Sequence, residues 1–187
     1  MAVPTLAEAA EFLESFDLPD GIVVHARGVS RVAAEAARRL VAAGVEADPH
    51  LVEVAALLHD IDKPVTRESG EEHGTLAAEW LTERGWGELA APVAAHPVTC
   101  LLDAGRFPAG WASVAVSVAD RHVAQEFVTI DQRIDDQATR YPRYRASLDA
   151  ARSPAHALEA VLAAAAGMSV DDLVARLRAA WTAGAAR

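Results

Sequence analysis

Histidine recurs along this chain at positions where a helix would bury it. His25 lies one turn before Val29 on an apolar stripe that continues through Val32, Ala36 and Leu40, and His59 flanks the face formed by Leu51, Val54, Ala55 and Leu58. His73 is in phase with Leu76, Ala77, Trp80 and Leu81, and His96 with Leu89, Pro92 and Val93. A buried imidazole without compensation is costly, so rings in these positions need a shared partner. A metal ion is the simplest one. Asp60, directly after His59, and Asp120, on a helix begun by Trp111, Val114, Ala115 and Val118, extend the set with carboxylates.

The surrounding composition favours helices that approach closely. Apolar residues make up 52% of the 187, but aromatics only 5%, and most of the apolar fraction is alanine, leucine and valine. The expected fold is all-α. The length suits one domain, read as a helical bundle over residues 1–150 with a C-terminal helical extension over 151–187 packed on it.

Along the chain, Thr5 and Glu8 form a capping box for a short first helix that ends before Pro19. A long helix runs from Ile22 to Ala43, and a third follows Asp48-Pro49 and ends near Lys63-Pro64. Residues 65–72 read as a polar, mobile loop, with His73 opening the next helix and His96 closing another. Residues 97–110, rich in proline and glycine, suggest a loop over one end of the bundle before the helix that carries Asp120. The arginines at 133–145 surround a helix end and a turn at Tyr141-Pro142 and read as mostly solvated. Two last helices are expected at about 154–166 and from a Ser169 and Asp172 cap to about Trp181.

A net charge of −10 and a pI near 5.1 argue against nucleic-acid polymers and anionic membranes as partners, while leaving room for a local basic pocket. Cys100 alone excludes an internal disulfide. The amino terminus lacks a signal-peptide pattern and no apolar run is long enough to span a bilayer, so the expected location is cytoplasmic.

Imidazoles with carboxylates suit iron, manganese, zinc or cobalt, and the lack of cysteine ligands argues against a closed structural zinc site. Adjacent helical residues point about 100° apart, so His59 and Asp60 can share a centre only near a helix end or a close helix crossing. With His25-Ala26-Arg27-Gly28-Val29, Ala55-Ala56-Leu57-Leu58-His59-Asp60-Ile61-Asp62-Lys63 and Val118-Ala119-Asp120, the sequence resembles the HD-domain superfamily of metal-dependent phosphohydrolases over about residues 20–130. The resemblance implies an HD-domain helical bundle with additional C-terminal helices.

It also implies a ligand set of His25, His59, Asp60, His73, His96 and Asp120, in which Asp60 bridges two ions, with His25, His59 and Asp120 on one and His73 and His96 on the other. His73, beside Glu71-Glu72, could equally be an ordinary helix-start histidine, and the site would then hold a single ion. Iron or manganese leads among the divalent metals, with zinc, cobalt, nickel and magnesium compatible. A metal-bound hydroxide would attack phosphorus in line, with Asp60 and Lys63 as the catalytic residues. Lys63, the sole lysine, and Arg121 would bind the substrate, a small phosphorylated metabolite of the nucleotide class. Asp62, where many family members carry glycine, adds a carboxylate beside the site. His50, His122 and His156 are not expected to be ligands, although His122 could touch substrate. A di-iron oxygenase and a non-catalytic metal- or nucleotide-binding module are the competing readings. Substrate choice would rest on the loops at 64–72 and 97–110, and oligomeric state stays open, a homodimer included.

Overall fold

Two short helices are buried over most of their length, and they fix the architecture. Helix α3 (Pro49–Leu58) buries Val52, Val54, Ala55, Ala56, Leu57 and Leu58, and α7 (Gly110–His122) buries every residue from Ser113 onward. A helix buried to that extent must sit inside a bundle. The computed structural model describes residues 3–69 and 72–185. Against α3 and α7 lies the long α2 (Asp20–Ala42), whose stripe of Val29, Val32, Ala33, Ala36, Ala37 and Leu40 is fully buried.

The other helices wrap this centre: α1 (Leu6–Glu14), α4 (Lys63–Ser69), α5 (Thr75–Glu83), α6 (Ala90–Ala94), α8 (Ile130–Arg140), α9 (Arg145–Ala165) and α10 (Val170–Ala185). Among the described residues there is no strand, only an isolated bridge between Val123 and Phe127. The all-α bundle expected from the sequence is what forms, and none of its helices is long and apolar enough to cross a membrane.

Local chemistry sets the boundaries. Thr5 and Glu8 form the expected capping box, and Asp48 accepts from the N–H groups of His50 and Leu51 with Pro49 in the first turn. Gly28 lets α10 close on α2, since a Cβ there would overlap the Trp181 ring. The last helix starts at its Ser169 cap, where Asp172 N–H donates to Ser169 Oγ, and continues past Trp181 to Ala185.

Three boundaries differ from the sequence reading. The segment after residue 64 is helical: α3 stops at Leu58, and Pro64 enters the first turn of α4, where its missing N–H costs nothing. Residues 70 and 71 of the expected 65–72 loop lie outside the described residues. Residues 97–110 are not all loop, because a 3₁₀ turn at Val98–Leu102 buries Val98, Cys100 and Leu101 against α9. Helix α9 begins at Arg145 rather than near 154 and takes Pro154 into its interior. A mid-helix proline costs about 3 kcal/mol, here offset by burial of Leu148, Ala151, Ala155, Leu158 and Leu162 along the same helix. The helix is unbroken at residue 150, and α10 rests on α2 and α9.

Candidate metal centre

Each of the core helices ends or begins at the same interior point. His25 lies in the buried face of α2, and Asp120 sits near the end of α7. His59 is the residue after α3, and the chain then leaves helical geometry through a turn at 59–62 that lets Asp60 face inward beside it. That turn meets the demand that adjacent helical residues cannot both point one way. His73 stands in the turn before α5 rather than inside that helix, and His96 lies just beyond α6. Gly74, at φ +88°, makes the His73 turn possible: a Cβ there would press to 2.8 Å from the Val93 carbonyl oxygen.

Asp60 is the hub. Its Oδ1 lies 2.8 Å from His73 Nε2, 3.4 Å from His59 Nε2 and 3.7 Å from His96 Nε2, while its Oδ2 lies 3.6 Å from His25 Nε2 and 2.5 Å from Lys63 Nζ. Asp120 Oδ1 lies 3.0 Å from His25 Nε2 and 3.9 Å from His59 Nε2. The donor atoms of His25, His59 and Asp120 fall within 4.8 Å of one another, as do those of His59, Asp60 and His96. His73 Nε2 is 3.0 Å from His96 Nε2. All six residues expected as ligands therefore meet in one place.

The hydrogen bonds assign the ring nitrogens. His59 donates from Nδ1 to the Ala56 carbonyl at 2.6 Å, His96 from Nδ1 to the Val93 carbonyl at 2.6 Å, and His73 from Nδ1 to Asp62 Oδ1 at 2.6 Å. In the neutral rings this leaves each Nε2 as a bare lone pair aimed at the centre. His73 is the exception without a metal: its Nε2, 2.8 Å from Asp60 Oδ1 and 3.0 Å from His96 Nε2, carries a proton that these acceptors share. His25 Nε2 and His59 Nε2 are buried and make no hydrogen bond of acceptable geometry; the Asp120 oxygen near His25 lies off the required direction. Unsatisfied buried groups cost about 1–3 kcal/mol each. A divalent cation removes that cost: ligands at about 2.0–2.2 Å from one ion stand about 3–3.5 Å apart, close to the 3.0 Å between His25 and Asp120 and the 3.4 Å between His59 and Asp60. Four imidazoles and two carboxylates thus fit a metal on the chemistry of the donors.

The electrostatics agree. Burial pulls His59 down to about 4 and lowers His25 and His96, so these rings are neutral and ligand-ready. Burial pushes Asp60 up, but His59, Lys63 and His73 outweigh it and hold the carboxyl well below the usual range. Asp120 is likewise raised by burial and lowered further by Arg121, His25 and Arg133. Burial pulls His73 down, yet Asp60 and Asp62 together raise it.

Lys63 stands on the wall of a cleft of about 880 Å³ that also exposes His25, Asp60, Arg67, Arg133 and Arg140. Arg121 does not, which corrects its expected place on the substrate. It is 2% exposed, pairs with Asp120 and donates to the His96 carbonyl. Arg133, read as solvated, is buried and donates to Asp120 Oδ1 at 3.2 Å. Its position between Ile130 and Ile134, both on the buried face of α8, was the available signal. His122 stands 2.7 Å from Glu159 inside the bundle, and His50 is tied to the Pro4 carbonyl, so neither joins the six.

Residues 22–97 match the family model described as HD domain, a span that holds five of the six donor residues and stops short of Asp120. A protein of Methanocaldococcus jannaschii described as "Uncharacterized protein MJ0778" is 40% identical over 75 residues, which are 40% of this chain and 43% of that one. The match thus spans less than half the length of either protein. No solved structure matches the chain. An HD domain points to metal-dependent, hydrolase-type activity, and the His and Asp groups gathered here can hold the metal. Residues 22–97 of the chain are thus an HD domain by their match, set in the all-α architecture that such a domain adopts.

Proposed function

We propose that the protein is a phosphohydrolase with a two-ion centre, cleaving a phosphate ester or anhydride of a small metabolite of the nucleotide class. The observation that carries this reading is Asp60: its Oδ1 faces His59, His73 and His96, its Oδ2 faces His25, and Lys63 caps the same oxygen from the cleft. His25, His59 and Asp120 would hold one ion and His73 and His96 the other, with Asp60 between them and iron or manganese favoured by the donors. Bound there, the ions supply Lewis-acid polarisation of the phosphoryl group and acidify water.

The chain's own groups do the rest. Lys63, 23% exposed at its side chain, reaches both Asp60 and the cleft, and as a compact cation it holds a phosphoryl oxygen at the mouth of the centre. Arg121 and Arg133 balance Asp120, so that carboxylate stays ionised and fixed in direction. The neutral rings of His25, His59 and His96 add no positive charge to repel a cation. The cleft volume suits a drug-sized metabolite, and the net charge of −10 disfavours a polyanionic strand.

The test is metal analysis of protein purified without chelators, followed by a phosphate-release screen over nucleotides and other phosphorylated metabolites. Near two ions per chain and release abolished by a chelator is the expected result. Oxygen uptake without phosphate release would overturn it in favour of oxidative chemistry, and tight metal with no turnover in favour of a binding module.

A further inference from the structure

One buried carboxylate at the centre has no part in that chemistry. Asp62 is 0% exposed, and both of its oxygens are engaged. Oδ1 accepts from His73 Nδ1 at 2.6 Å, and Oδ2 accepts the backbone N–H groups of Gly74 at 2.7 Å and Ala77 at 3.2 Å. Asp60 reaches the opposite nitrogen of the same ring, at 2.8 Å. Two carboxylates two residues apart, from one turn, therefore clamp a single imidazole by both ends. The intervening Ile61 is buried and fixes the turn.

The partner of each ring distinguishes them. His59 and His96 are oriented by backbone carbonyls, whereas His73, on a turn and 25% exposed at its side chain, is oriented by carboxylate side chains, Asp62 at Nδ1 and Asp60 at Nε2. Its tautomer and direction depend on residue 62. A carboxylate receiving the Nδ1 proton leaves Nε2 bare and raises its strength as a donor. We propose that Asp62 is the positioning residue that makes His73 a ligand, and so creates the second ion position. This rests on the two-ion reading above.

The isosteric Asp62→Asn separates this role from the pinning of α5. Asparagine has one acceptor oxygen, and two backbone N–H groups compete for it against one ring N–H. With the oxygen on Gly74 and Ala77, the amide N–H groups face Nδ1 and force the proton onto Nε2, which then cannot bind metal. The experiment is a Mn²⁺ titration of metal-free wild type, Asp62→Asn, His73→Ala and the double variant, with thermal unfolding of each metal-free protein alongside. The expected outcome is two ions in wild type. In Asp62→Asn the second Kd rises about 10- to 100-fold while the first ion is retained. In the double variant there is no loss beyond that of His73→Ala, because Asp62 acts through the ring.

Two ions bound by Asp62→Asn with wild-type affinities, or losses in the double variant that simply add, would overturn the proposal and reduce Asp62 to a fold pin. A single ion in wild type itself would instead overturn the two-ion reading, and this proposal with it.

Discussion

The two halves of the donor set are built differently. His25, His59 and Asp120 come from α2, the end of α3 and α7, whose burial is the core of the protein. His73 and His96 come from turns beside α5 and α6, short helices packed on each other, with His73 25% exposed at its side chain and His96 buried. There Arg106 donates to the carbonyls of His73 and Ala94 at 3.3 Å each and pairs with Glu72 at 2.7 Å, while Asp62 holds the ring. The first half cannot move without the bundle moving. The second is positioned by a few polar contacts and is free to be tuned.

Asp60 joins the halves, so Asp60→Ala should have the largest effect: loss of both ions and at least about a hundredfold loss of phosphate release, with helical circular dichroism unchanged. Retained metal with full activity would separate the carboxylate from both halves. Acid should then take the halves apart in sequence. His73 is raised above its ordinary value and His59 is held near 4, so protons displace the ion at His73 first as pH falls below neutrality. Metal content from pH 7.5 to 5 should therefore pass through a one-ion plateau, and a single concerted loss would contradict the division.

Gly28→Ala presses on Trp181 one turn from His25, and overpacking of this kind costs about 1–3 kcal/mol. It should lower the unfolding midpoint by several degrees and weaken the first ion, leaving the second nearly untouched in calorimetric titration. Lys63→Met should raise KM or lower kcat several-fold with both ions retained, since the lysine touches the cleft and not the donor nitrogens. The smallest effect belongs to Arg106→Gln, which removes ties worth about 1 kcal/mol and should shift only the second ion's Kd, by about fivefold.

Much of the centre was legible in the sequence because a polar ring in phase with apolar neighbours is conspicuous. His25, His59, His96 and Asp120 stand where that phase put them. His73 was legible as a donor but not in its setting, since its turn depends on Gly74 meeting the Val93 carbonyl from a distant segment. Helix α4 was missed because Pro64 signals both an ending and a beginning, and only the earlier stop at Leu58 decides between them. The exchange of roles between Arg121 and Arg133 was also hidden. Which of two arginines reaches the cleft depends on how α7 and α8 cross, and no local pattern records that.

The backbone carbonyls that receive the Nδ1 protons of His59 and His96 belong to the last turns of α3 and α6, where a helix leaves such groups without partners. A main-chain acceptor cannot be deleted by any substitution at Ala56 or Val93, whereas the acceptor for His73 vanishes with a single codon change at position 62. Variation at position 62 should therefore reach metal number and selectivity through the partly exposed His73 ring, while the rings of His59 and His96 stay shielded from it by the geometry of helix ends.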